Sequence, residues 1–167
     1  MNKKILDIKI IKLRPFRDFR GTYVESFNEK KYKKKFNIKF VQDDFSSSKK
    51  GILRGFHGDS KTWKLFSCIK GKVQFAFINN DNNSKKFKKN FSICLNEKSN
   101  LQILVPPNYG TAHLVLSKNA TIHYKQSTYY KTHKQFTINH KNKCLRFRWL
   151  LKKIIVSERD KNGKIFK

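Results

Sequence analysis

A chain of 167 residues with 38% hydrophobic residues, fifteen of its residues Phe, is long enough for one domain with a sizeable core and too apolar to be disordered. The charge is extreme at +28, but only seven of the 39 basic residues are Arg and the other 32 are Lys, so the planar fork suited to phosphate recognition is scarce. No segment approaches the roughly 20 apolar residues that cross a bilayer, which leaves a lysine-rich, solvated surface as the reading of the charge, with nucleic acid as the alternative partner.

The N-terminal residues alternate Lys with Ile and Leu and lack a small-residue cleavage site, so no signal peptide is read. Alternation of period two then predicts strands at residues 5–10, 22–27, 38–45, 64–69, 73–78, 101–105 and 121–124. Residues 29–39 (EKKYKKKFNIK) set Tyr32 and Phe36 four apart, the spacing of one short amphipathic helix. The polar run 79–90 (NNDNNSKKFKKN) is an exposed loop. Gly21, Gly51, Gly71 and Gly110 fall between strands. Many short strands and one helix give an all-β class, an antiparallel sandwich or barrel, as one domain over residues 1–167. Cys68, Cys94 and Cys144 form no CxxC pair, so neither a disulfide framework nor a zinc site is expected and a reducing cytoplasm fits.

The chemistry is narrowed by elimination first. No GxGxxG or Walker loop signals dinucleotide redox or phosphoryl transfer. No two His stand one residue apart, as they do on the metal-binding strands of many small barrels. The one donor set available, His57, His113 and His123, is not expected to hold a metal. The informative segment is 40–58 (FVQDDFSSSKKGILRGFHG), which sets Arg54 and His57 three apart at the end of a strand, around a Gly that permits close backbone approach.

Further matches extend along nearly the whole chain: residues 20–27 (RGTYVESF), Gln42 with Ser46 and Ser48, residues 53–57 (LRGFH), Lys64-Leu65, residues 71–73 (GKV), Val105-Pro106, Tyr124-Lys125, Tyr129-Tyr130, Trp149 and residues 157–160 (SERD). In this order they resemble the dTDP-4-dehydrorhamnose 3,5-epimerases and their relatives acting on other nucleotide-linked 4-keto sugars. The resemblance implies a cupin or jelly-roll barrel with one or two short helices. It implies a cofactor-independent isomerase that inverts C3, C5 or both of a nucleotide-diphosphate-linked 4-keto sugar, supplying surface polysaccharide synthesis.

By the same resemblance His57 is the base, oriented by Asp160, and Lys64 stabilises the enolate oxygen. Tyr124 is the acid on the opposite face, with Tyr129 and Tyr130 as the other aromatic candidates. Arg54 and Arg20 are the candidates for the diphosphate, with Gln42, Glu25, Thr111 and His113 as further contacts to substrate. The family is dimeric, so the N-terminal part, carrying Arg20 and Glu25, is expected to complete a neighbour's site. No metal, nucleic acid or membrane insertion is expected.

Three departures mark this chain. Thr111 stands where the rhamnose-pathway enzymes carry a second active-site His, and His113 follows two residues later, on the same strand face if the strand is regular. Together with Pro106-Pro107 this looks more like epimerases of GDP-linked 6-deoxy or heptose sugars. The base (dTDP, GDP or CDP), the sugar length and the number of centres inverted therefore stay open. Residues 139–143 (NHKNK) replace a Trp-Asn-Asp-Pro turn expected near the nucleotide, and Leu150 replaces a Pro, a packing change. A 3,4-ketoisomerase of the same fold, and a non-catalytic basic barrel that binds nucleic acid, are the competing functions.

Overall fold

The computed structural model describes residues 3–166. The chain opens with a hairpin of β1 (Lys3–Ile5) and β2 (Ile8–Lys12), where a single strand over 5–10 was expected. Leu6, in the left-handed region at φ 57°, turns the backbone between them. A small separate hairpin follows, β3 (Phe16–Asp18) with β4 (Gly21–Tyr23). The strand expected over 22–27 stops at Tyr23, because Phe27 packs instead against Tyr32 and Phe40 and Asn28 already caps the helix.

That helix, α1 (Glu29–Phe36), starts where the Asn28 side chain accepts a hydrogen bond from the Lys31 N–H. It carries Glu29 in its first turn and three lysines in its last, each complementing the macrodipole. It ends before Lys39 because Asn37 adopts a left-handed cap at φ 54°.

The remaining strands are β5 (Gln42–Lys49), β6 (Leu53–Gly58), β7 (Lys64–Lys70), β8 (Lys72–Asn79), β9 (Asn90–Asn96), β10 (Leu101–Val105), β11 (Tyr109–Val115), β12 (Asn119–Gln126) and β13 (Phe136–Thr137). A short helix, α2 (Glu158–Lys161), lies near the end of the chain. Two antiparallel sheets result, in the orders β1-β2-β10-β7-β12-β5 and β13-β6-β11-β8-β9. Their inner faces meet in one cluster: Phe66 and Ile122 from the first sheet pack with Val73, Phe75 and Phe77 from the second, and all five are buried. This is the expected cupin sandwich.

Each sheet is also covered outside. Tyr32 of α1 sits with Leu65 and Leu104 on the first sheet, and its hydroxyl donates to Gln102 Oε1 at 2.5 Å. On the second sheet, Phe147, Trp149, Leu151 and Ile154 of the C-terminal segment pack over Ala76, Ile78 and Leu114. β8 and β11 are consequently buried on both faces; β8 matches the strand expected at 73–78, whereas β11 was not expected. Gly110 lies inside β11 rather than between strands, where a Cβ would press on Ile78, Phe56 and Ile138. β5 carries a polar inner face and begins only at Gln42, since Ile38 and Phe40 belong to the α1 layer. Among the described residues no helix is long and apolar enough to cross a membrane.

Candidate active site

At one end of the sandwich β5, β6, β7, β11 and β12 surround a cavity of about 630 Å³. Its position follows from sequence locally: β5, β7 and β12 turn Gln42, Asp44, Lys64, Tyr124 and Gln126 inward at this end, where the apolar filling of the core gives out.

β6 supplies the centre. Gly55, at φ 115°, runs so close to β11 that a Cβ would lie 2.3 Å from the Thr111 carbonyl oxygen. Only glycine fits that approach. His57, two residues on, shares a 2.5 Å hydrogen bond through Nε2 with Asp160 Oδ1. The second oxygen of Asp160 accepts the Gly55 N–H at 3.1 Å, so imidazole, carboxylate and strand backbone are locked together. The side chain of Asp160 is 3% exposed and that of His57 is 30% exposed. Burial alone would raise the Asp160 carboxyl, but the His57 and Gly55 hydrogen bonds hold it below its ordinary value. The carboxylate is thus charged and fixes the imidazole through Nε2.

α2 brings Asp160 here. Ser157 caps the helix, its hydroxyl accepting from the Asp160 N–H, and Asn139 Nδ2 donates to the Lys161 carbonyl at 2.5 Å. The 139–143 turn packs behind α2, where Asn139 holds the Lys161 carbonyl. Asn139, His140 and Asn142 are buried behind α2 and the C-terminal tail, and the two asparagines bond backbone oxygens there.

On the wall of the same cavity the Tyr124 phenol is pushed above its ordinary value, first by burial and then by the charge of Asp44, and so carries its proton at neutral pH. Lys64 is buried, with Nζ 3.5 Å from Gln135 Oε1, and Gln135 Nε2 donates in turn to Asp59 at 2.6 Å. Burial lowers the Lys64 ammonium, while Asp59 and Asp44 pull the other way.

The remaining expected residues divide. Gln42, Arg54, Thr111 and His113 line the cavity. The β6–β11 pairing shifts register between Thr111 and His113, yet both contribute to the wall. The Thr111 hydroxyl donates to the His57 carbonyl. His113 is buried against Phe75, and burial with the nearby Arg54 and His57 pushes it down to about 4, so it is neutral at physiological pH. Arg20 and Glu25 lie outside the cavity of their own chain, paired with Asp18 and Lys31. His123 bonds Asp43 on the other side of β12 from Tyr124, so the set His57, His113 and His123 does not converge.

Asp44, Gln126, Gln135 and Arg159 also line the cavity and were not anticipated. The period of β5 could have found Asp44, two residues after Gln42. Arg159 was hidden in the SERD run, where Asp160 drew attention; its guanidinium reaches Thr137 and the Tyr130 hydroxyl, lowering that phenol. Nothing local marks Gln135.

Comparison with known proteins follows the same line. The family model described as dTDP-4-dehydrorhamnose 3,5-epimerase matches residues 2–167. The dTDP-4-dehydrorhamnose 3,5-epimerase of Shigella flexneri is 30% identical over 168 residues, covering 98% of this chain and 93% of that protein. The crystal structure of the enzyme of that name from Elizabethkingia anophelis superposes with a TM-score of 0.91 at 31% identity, over 99% of this chain and 96% of that one. The dTDP-6-deoxy-D-glucose-3,5-epimerase of Legionella pneumophila, solved in complex with dTDP-4-keto-L-rhamnose, gives 0.92 at 31% identity, over 99% and 90% of the two chains. On its fold, its cavity and these matches, the chain belongs to the dTDP-4-dehydrorhamnose 3,5-epimerase family of cupin-fold isomerases.

Proposed function

We propose that the protein inverts C3, C5 or both of a dTDP-linked 4-keto-6-deoxyhexose, without a cofactor, as a step toward a surface polysaccharide. The observation that carries this is the shared cavity of the buried His57–Asp160 pair and the protonated Tyr124, with the Lys64 side chain in the same wall. In this scheme His57 Nδ1 takes the proton from the carbon beside the ketone, and the C–H electron pair moves onto the keto oxygen as an enolate. The Lys64 ammonium stabilises that oxygen, a contribution of about 3 kcal/mol. Tyr124 delivers its proton to the carbon from the opposite face as the ketone re-forms, which inverts the centre. Exchange with water then reprotonates the phenolate and clears the imidazolium.

Arg54 and Arg159 suit the diphosphate, being the two guanidinium groups on the cavity wall. Thr111 cannot take up charge, and His113, pushed down to about 4 by burial, is too weak a base, so His57 is the base available on its face. Turning the sugar would present the second carbon to the same pair. We further propose a homodimer in which the β3–β4 hairpin carries Arg20 into the partner's cavity and Glu25, just beyond it, follows. The exposure of Phe19 at 98%, with Phe16 and Tyr23 also exposed on that hairpin, supports this.

Incubation with dTDP-4-keto-6-deoxyglucose in D2O should introduce deuterium at C3, C5 or both and yield inverted product. Tyr124→Phe should abolish inversion while leaving part of the wash-in. A GDP-linked 4-keto sugar tests the base. Absence of exchange with every such sugar, or a 3,4-ketoisomer as product, rejects the epimerase reading.

A further inference from the structure

Asp44 is a carboxylate on the wall of a cavity that the proposed reaction fills with a dianionic sugar nucleotide. Strand register fixes its place. Asp44 pairs across β5 and β12 with Tyr124, which pairs across β7 with Phe66; the next row is Gln42, Gln126 and Lys64. Asp44 is thus the cross-strand neighbour of Tyr124, and directly paired side chains of this kind lie about 5 Å apart at Cβ.

Its partners are neutral. Gln42 Nε2 is shared between the two oxygens at 3.0 and 2.9 Å, and Gln126 Nε2 donates to Oδ2 at 2.7 Å. Among the described residues no Lys, Arg or His stands within salt-bridge distance of it. An ionised carboxylate offers about four lone-pair sites, and here Oδ1 holds only one shared contact. Both amides come from the neighbouring Gln42–Gln126 row, which leaves the rest of the carboxylate to the cavity. Holding two glutamine amides needs no negative charge. A charge facing the cavity asks for a donor from the ligand.

That donor cannot be the diphosphate, whose oxygens accept hydrogen bonds and would be repelled by a like charge. The diphosphate is steered instead to Arg54 and Arg159, and the sugar ring, whose hydroxyls donate, comes to the Asp44 side beside the acid Tyr124.

We propose that Asp44 is a specificity-determining residue that accepts a hydrogen bond from the C2 or C3 hydroxyl of the sugar and so sets which way the ring lies between His57 and Tyr124. This rests on the epimerase reading. The hydroxyl keeps its character through the reaction, so the contact acts on ground state and transition state alike and appears in KM. A hydrogen bond to a charged group corresponds to about 10- to 100-fold in kcat/KM.

The test compares wild type with Asp44→Asn, which keeps the shape and removes the charge, by deuterium wash-in at C5 of dTDP-4-keto-6-deoxyglucose and of its 2-deoxy and 3-deoxy analogues. Wild type should lose about 10- to 100-fold in kcat/KM on one analogue. Asp44→Asn should lose a similar factor on the full substrate, mainly through KM, and little more on that analogue. Its affinity for dTDP alone should be unchanged or higher, since a negative charge has left the cavity. Unaltered KM and kcat in Asp44→Asn, equal discrimination against the analogues in both proteins, or loss of dTDP binding, which would mark a structural role, each overturns the proposal. Absence of exchange in wild type would instead reject the epimerase reading itself.

Discussion

At the scale of single residues, the proposed chemistry turns on the His57–Asp160 pair, because Asp160 fixes the orientation of the imidazole. Asp160→Asn keeps the volume but not the charge and should lower kcat about 10²- to 10⁴-fold with a smaller change in KM, measured by wash-in. Because the folded Asp160 sits below its ordinary value, the stability it contributes is complete above the unfolded pKa, near 4, and is lost as pH falls through the lower folded value. His113 acts in the same direction, over a higher pH range. Its folded value near 4 lies below the usual 6.5, so the unfolded chain binds a proton that the folded chain refuses. Stability should fall as pH drops from 6.5 toward 4, by up to about 3 kcal/mol. Urea midpoints at pH 7 and 4.5 should show a shallower dependence in His113→Phe, whose ring can keep the contact with Phe75.

Among the elements, β6 is the one whose backbone the site cannot do without. It passes β11 closely at Gly55, presents Arg54 and His57 to the cavity, and gives the Gly55 N–H to Asp160. Gly55→Ala would put a methyl group 2.3 Å from the Thr111 oxygen and 2.7 Å from Ala112 Cα, in a conformation that side chains disfavour. The strands must part, so the variant should lose about 3 kcal/mol or more in urea denaturation and most of its wash-in activity. Element prediction succeeded for α1, with one face buried and the other open, and for β8. It missed β9 and β11, the latter buried on both faces, and merged β1 and β2, which the backbone angle of Leu6 separates.

For the whole molecule, the charge of +28 surrounds a cavity meant for a dianion. The lysines should attract substrate over distance without touching it, so kcat/KM should fall about tenfold or more as added salt shortens the screening length from about 10 Å toward 3 Å. Saturated kcat should change little. Salt titration of both constants checks this, and a salt-independent kcat/KM would confine the charge to solubility.

The linear order of residues by itself determined the all-β class, the single amphipathic helix and, through the family resemblance, the set His57, Lys64, Tyr124 and Asp160. The class and the helix follow from local period, whereas the four-residue set rests on the resemblance and not on any pattern of spacing. Only the tertiary structure decided that Asp44, Gln126, Gln135 and Arg159 share the cavity, that Arg20 and Glu25 do not line it in their own chain, and that the 139–143 turn packs against α2. These depend on strand register and on segments a hundred residues apart meeting in space, as Gly55 and Asp160 do, and no local pattern encodes such a meeting.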